Sequence, residues 1–466
     1  MVLLSHSSKS CPWNTPSNSI ASSNYRWRAQ SVRVTMESFT RENVEKLSAY
    51  LNEPRWMLEF RLKAFETYEN TPMPTTKDEA WRRTDIRRLK LDELGPSVNG
   101  DAGGSVAMPQ YLGQQLTTDR AGGNMLQVDG VVEQYALDPA LAEQGVIFCD
   151  MHTAVNEHPE LVKRYFMTEG VTIDAGKFAA LHGAFWRGGT FLYVPRNVQA
   201  AAPLHSVLWS ANGRTFTHTL VVLDQGAEAI FMDEYASADG KGQAIHNGAI
   251  ELLVGDNASL IYAGLQDFGK NMWQFNHERA RVGRDGKLDW VTSMMGTRLT
   301  KAFQTMELDK PGSWGRMSGI FFTNGRQHLD LDTQQNHNAP DTVSDLLYKG
   351  ALREKSRTVW QGMIKALPDA QRINGFQANR NLMLDRDARA DSIPGLEIQA
   401  DDVICTHASA IGKLDEEEIF YLMSRGIPRK TAIEMSVQGF FDPLMRRIPF
   451  EGVRSRIFDR IVEKIG

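Results

Sequence analysis

The sequence predicts a mainly β chain, a parallel β-helix core flanked by N-terminal and C-terminal α-helical domains. Three observations lead there. After about Gly170, short apolar runs follow one another, rich in β-branched and aromatic residues. Turn residues such as Gly226, Gly248, Asn257, Gly286 and Gly325 punctuate them, and no long helix intervenes, which excludes βαβ units. On either side, apolar residues recur at spacings of three and four instead. So many short strands leave a sandwich, a barrel or a solenoid. Strand brevity, polar residues confined to turns, and a stretch too long for an ordinary sandwich favour the solenoid. Asn336, Asn338, Asn379 and Asn381 are candidates for stacked ladders. Helical flanks would cap the exposed end coils.

The expected divisions are an extension over 1–35, a helical domain over 36–169, the β-helix over 170–398 and a second helical domain over 399–466. Residues 1–35 lack Asp and Glu but hold Lys9, Arg26, Arg28, Arg33 and many serines. That composition fits either a disordered extension, with Met36 as the effective start, or an organelle transit peptide. Val44, Leu47 and Leu51, then Met57, Leu58, Phe60, Leu62 and Phe65, read as two helices split at Pro54. Thr71–Thr76 is a proline-rich loop, Gly100–Gly104 a flexible turn, and Pro139–Thr168 a further helical stretch.

The apolar runs expected as strands include Phe191–Val194, Leu220–Leu223, Ala229–Met232, Ile250–Val254, Leu260–Tyr262 and Leu288–Val291. They continue through Ile320–Phe322, His328–Leu331, Leu346–Tyr348, Thr358–Trp360 and Leu382–Leu384. From Leu414 the pattern is helical again. Asp415 caps a helix opening with three glutamates, Gly426 ends it, and Pro428 starts the next. Phe440, Phe441, Leu444 and Met445 form an apolar patch, either core or docking face. Val453, Ile457, Ile461 and Ile465 stripe a last amphipathic helix.

Composition narrows the function. The 466 residues are 42% hydrophobic and carry a formal net charge of -5, which offers no electrostatic basis for nucleic-acid binding. No apolar run approaches the ~18–20 residues that span a bilayer. Three cysteines, Cys11, Cys149 and Cys405, allow neither a disulfide framework nor a four-thiolate metal site within one chain. There is no phosphate-cradling loop at Gly183 or Gly188-Gly189, no HExxH and no nucleophile elbow.

Two patterns could carry chemistry. In Cys405-Thr406-His407, sulfur and imidazole stand two apart, so on a strand they share a face and could converge on one metal. A buried cysteine beside a hydrogen-bonded histidine is the plainer reading. His328-Leu-Asp330-Leu-Asp332 places one imidazole and two carboxylates on one strand face, as a β-helix glycosidase, a lyase or a hard-cation site would. A solvated strand face is its plainer reading. His337 lies close in sequence. Trp81-Arg-Arg-Thr-Asp85 suits ligand stacking or, more simply, the anchoring of a helix end.

Several of these stretches are jointly recognisable: Trp81–Leu89, His328–Asp332, Asn336-His337, Ser344–Gly350, Gln377–Leu382, Asp391–Ile398, Asp402–His407 and Ile419–Gly426. From roughly Thr40 to the C-terminus the chain resembles the SufB/SufD family of iron–sulfur cluster assembly proteins, its SufD branch most. Glu53–Arg61 is reminiscent of SufB. The family commonly continues His-Gly-Ala-Thr-Val-Gly, where this chain has His407-Ala-Ser-Ala-Ile-Gly412.

The resemblance implies a right-handed β-helix and a non-catalytic scaffold role. It implies a heterodimer with a SufB-like subunit, a SufC ATPase on the C-terminal helices, and a possible homodimer when alone. It places His407, with Cys405 as second candidate, at an interface where an iron–sulfur cluster forms transiently, none being held permanently by this chain. A cytoplasmic location follows, or a plastid if residues 1–35 are a transit peptide. The competing expectation is a polysaccharide-active β-helix enzyme using Asp330 and Asp332.

Overall fold

A computed structural model of the chain describes residues 39–95, 122–448 and 451–466. The expected extension over 1–35, the start at Met36 and the Gly100–Gly104 turn lie outside the described residues.

Thr40 caps α1 (Arg41–Tyr50), its Oγ1 accepting the Asn43 N–H at 3.2 Å. Pro54 caps α2 (Arg55–Asn70), so the proline splits the helical stretch as expected. The stretch expected to be helical over 139–168 is broken into α3 (Pro139–Glu143), α4 (Met151–Glu157) and α5 (Pro159–Tyr165), with a strand between the first two. Asp138 and Asp150 cap α3 and α4, and Pro159 opens α5. The buried α6 (Lys177–Phe185) follows.

The strands, in chain order, are β1 (Gly123–Val128), β2 (Val131–Leu137), β3 (Ile147–Asp150), β4 (Thr190–Val194), β5 (Gln199–Ser210), β6 (Arg214–Thr215) and β7 (His218–Leu223). Then come β8 (Glu228–Ser237), β9 (Ala244–Val254), β10 (Ser259–Asp267), β11 (Met272–Val282), β12 (Lys287–Met294), β13 (Leu299–Leu308) and β14 (Trp314–Thr323). The run closes with β15 (His328–His337), β16 (Val343–Leu352), β17 (Arg357–Ala366), β18 (Ile373–Met383), β19 (Arg389–Ile398) and β20 (Val403–Lys413).

From β8 onward each strand pairs in parallel with the strand two places along. β14 lies between β12 and β16, and β15 between β13 and β17. The chain therefore crosses from face to face, a β-solenoid of about eight turns. Its start is closed by antiparallel partners, β2 on β1 and β3 on β4. At the other end β19 and β20 terminate the two faces.

One corner explains how the coils stack. Asn197, Gly226, Asn257, Asp285 and Gly312 all take positive φ, and successive turns are linked by Asn197 N–H to Gln225 O, Gly226 N–H to Asp256 O and Asn257 N–H to Arg284 O. A Cβ at Gly226 would collide with the Asn197 Oδ1 of the turn beside it, so glycine is required there. The expected asparagine ladder does not form. Asn336 and Asn338 bind Glu307 instead, and Asn381 donates to Asn379 on its own strand.

Between the faces lies an apolar interior with Leu260, Leu288, Trp290, Met317, Leu329, Leu346 and Trp360. Both outer faces are apolar as well, as strands buried on two sides require. The N-terminal helices cover one of them, with Phe178 stacked on Phe275 at 3.7 Å between ring centroids. The C-terminal helices α7 (Glu416–Ser424), α8 (Arg429–Met445) and α9 (Glu451–Ile465) follow, and α8 and α9 cover the other. There Val453, Ile457, Ile461 and Ile465 meet Met232, Leu265, Val291, Ile320 and Phe322. The flanking helices thus cover faces of the solenoid, where the sequence suggested that they cap its ends.

The expected boundary at 398 falls inside the sheet, because β20 continues one face to Lys413. Likewise β1, within the expected N-terminal helical domain, pairs with β5. The described residues from 39 to 466 belong to one compact unit. No helix among the described residues is long and apolar enough to cross a membrane.

Candidate functional site

Cys405 and His407 lie on β20, the last strand of its sheet. Their Cα register partners on β18 are Gly375 and Gln377. Gln377 is fully buried and its Nε2 crosses to the Gly395 carbonyl at 2.8 Å, so this side of the strand faces the solenoid interior. Alternation gives Cys405 and His407 that same direction. One coil on, no strand covers them, and the interior opens to solvent: Cys405 is half-buried and His407 exposed.

The same end of the solenoid also exposes apolar residues. Leu396 is 39% exposed although its register partner Ile364 is fully buried, and Ile398 and Ile411 are exposed too. Together they extend the interior apolar lining out to an uncovered rim.

The local chemistry separates the two candidates. Burial pushes the Cys405 thiol up from its ordinary value, opposed by a hydrogen bond with the Gly375 backbone. A thiol raised in this way is protonated near neutral pH, so a metal must displace its proton. His337 ends the same strand as the acidic row, roughly 16 Å beyond Asp332, and lies near Cys405 instead. A Cβ at Gly375 would sit 3.3 Å from His337 Nε2 and 3.4 Å from Cys405 Sγ. Both His337 ring nitrogens are engaged, with Thr342 Oγ1 at 2.6 Å and Ser344 Oγ at 2.9 Å. Among the described residues no group of three or more His, Cys, Asp or Glu side chains is placed to hold a metal ion.

The second pattern, His328-Leu-Asp330-Leu-Asp332, is structural. Asp330 Oδ1 meets Lys301 Nζ at 3.0 Å, both side chains being fully buried, and the two residues are register partners on β13 and β15. Thr84 donates to Asp330 Oδ2, so its oxygen accepts from His328 Nε2 at 2.8 Å; this fixes the Nε2–H tautomer. Burial lowers the His328 pKa to about 4, keeping the ring neutral, and burial raises the Asp332 carboxyl, with Lys301 opposing. The Lys301 ammonium also lies over the Trp81 and Phe303 rings. Trp81–Thr84 is thereby an anchor for the N-terminal segment. Asp330, tied on both oxygens and sealed from solvent, is no general acid or base.

Two family models match the chain: the SufBD protein N-terminal region over residues 41–205, and the SUF system FeS cluster assembly SufBD core domain over residues 207–440. The chain belongs to the SufBD family of iron–sulfur cluster assembly proteins. It is 32% identical over 438 residues to the iron–sulfur cluster assembly protein SufD of Bacillus subtilis (strain 168), a match covering 92% of this chain and 99% of the relative. It is 30% identical over 431 residues to an iron–sulfur cluster assembly SufBD family protein of Staphylococcus aureus (strain USA300), covering 88% of this chain and 90% of the relative.

The SufBD core match extends past the solenoid through α7 and most of α8, where a second exposed surface lies. Phe420 is 73% exposed on α7, beside Tyr421 and Met423, and Met435 is exposed on α8. The patch weighed between core and docking behaves differently: Phe441, Leu444 and Met445 are buried against the sheet, and Phe440 packs beside them. Sequence reading missed the apolar rim on the last coil. Its one signal was the alternation of Leu396 and Ile398 after Pro394-Gly395, obscured by a proline within a strand.

Proposed function

We propose that this SufBD protein is a non-catalytic scaffold subunit on which a nascent iron–sulfur cluster is assembled as cargo. His407 is the ligand it contributes, with Cys405 as the second candidate. The observation that supports this most is the placement of both residues on one face of an edge strand, at an open end of the solenoid. A cluster needs roughly four protein ligands. One imidazole and one thiol facing solvent make half a site, which a second subunit completes.

A SufB-like subunit is the partner in this reading. Edge strands β19 and β20 offer unpaired backbone groups for strand addition, and the rim of Leu396, Ile398 and Ile411 offers apolar area for burial. In its absence a second copy of this chain can use the same edge. A SufC-type ATPase docks on α7 through Phe420, Tyr421 and Met423, and its nucleotide cycle pulls on α8 and α9, which grip the solenoid. The bacterial relatives and the low thiol content fit a cytoplasmic setting. The polysaccharide-enzyme reading fails on the buried Lys301–Asp330 pair.

Co-expression with SufB-like and SufC-like chains tests the assembly. A three-component complex should co-purify, and charging two rim residues, Leu396→Asp with Ile411→Asp, should release the SufB-like chain alone. Retention of that chain by the charged variant would contradict the proposed interface.

A further inference from the structure

Inside the solenoid, far in sequence from β20, is a cavity of about 20 Å³. That volume admits roughly one water-sized particle. The cavity exists because Gly264 supplies no side chain between Tyr262 and Gln266 on the inner face of β10; all three line it. The rest of the wall includes Gln274, Asn276 and Glu278 of β11 and Thr292 of β12.

Glu278 is 4% exposed, and its named partners are neutral amides: Asn276 Nδ2 donates to Oε1 at 3.0 Å and Gln304 Nε2 to Oε2 at 2.8 Å. Burial raises its pKa against these two hydrogen bonds, and the charged group acting on it is Asp233, another acid, which raises it further. Asn276 is 4% exposed, and its Oδ1 has no hydrogen-bond partner. An ionised carboxylate in such a place needs a counter-charge or a proton.

We propose that this cavity is a binding site for a single dehydrated monovalent cation of potassium size, held by the Glu278 carboxylate and by neutral oxygens including Asn276 Oδ1. The class follows from the donors. Carboxylate, amide and hydroxyl oxygens without thiolate or imidazole select a hard ion. One carboxylate matches one positive charge, and the space suits an ion close to water in radius. The site is independent of the cluster scaffold reading and would survive its failure. Its role is to neutralise a buried acid at the middle of the solenoid, linking β10, β11 and β12.

Two measurements on the full chain test it. Thermal unfolding is compared in potassium chloride and in choline chloride at equal ionic strength. The melting temperature should be higher in potassium by about 2 °C or more, and the isosteric Glu278→Gln variant should lose that difference while staying folded. Crystals of the unaltered protein soaked in thallium(I), a potassium mimic, should show an anomalous peak beside Glu278. Equal melting in the two salts, or density for a water with no anomalous signal, would overturn the proposal.

Discussion

Gln377 and His407 are register partners on adjacent parallel strands, yet Gln377 is fully buried and His407 is exposed. A single coil separates the sealed interior from its open end. That step leaves the His407 imidazole open to solvent, while the residue beneath it on the preceding coil is sealed. Positions on the same sheet therefore divide into those sealed inside the solenoid and those open to solvent at its last coil.

The first consequence concerns stability. Replacing His407 by alanine removes an exposed side chain with no named hydrogen bond, so unfolding free energy should change by less than about 0.5 kcal/mol. Denaturant titration of the isolated chain checks this. A large loss would show that the imidazole is structural.

Lys301 and Asp330 should behave in the opposite way. Lys301→Met leaves a fully buried carboxylate unpaired, at a cost of about 3–5 kcal/mol, and the double variant Lys301→Met with Asp330→Leu should recover most of it. A double-mutant cycle in denaturant reads the coupling. Additive losses would mean that the pair does not act as a unit.

Lys464 gives a pH dependence with a definite sign. Its ammonium sits against Gln327 Oε1 at 2.8 Å and Asn324 Oδ1 at 3.1 Å, beneath α9, and burial lowers its pKa from 10.5 to about 7, with Arg460 adding to the shift. Between those values the unfolded chain binds more protons than the folded one, so stability rises with pH across the window. From pH 7 to pH 9 the native protein should gain stability relative to Lys464→Met in parallel urea titrations. A smaller gain than in the variant would reverse the assignment.

Docking on α7 should be separable from folding. Phe420→Ala removes a ring 73% exposed and outside the main apolar clusters, so the melting temperature should hold within about 1 °C. Affinity for a SufC-type ATPase, measured by calorimetry, should fall at least about tenfold if the ring is an anchor. Unchanged affinity would move the docking surface elsewhere.

Much of the solenoid was legible in the sequence because interior leucines and tryptophans recur as short runs between Gly and Asn corners. Strands β5, β11, β13, β19 and β20 were not. β11 and β13 carry polar residues that satisfy one another inside, such as Gln274 with Gln266 and Gln304 with Glu278, so their composition hides their burial. β19 holds Pro394 and Gly395, which an edge strand tolerates and an interior one does not. The seat of the flanking helices was also hidden. The α9 stripe shows that a face is buried but not against what, and only the outer residues Leu265, Val291 and Phe322 reveal that it is the sheet. Cys405 and His407 could be paired from their spacing alone, whereas the change from inside to outside at β20 depends on counting coils.

In the proposed role, His407 serves a cluster shared with another subunit. The most direct measurement is the iron and acid-labile sulfide content of the three-component complex, purified without oxygen, with native chain and with His407→Ala. The variant complex should assemble with normal subunit ratios but hold several-fold less iron and sulfide. Equal iron and sulfide in the two complexes would contradict it.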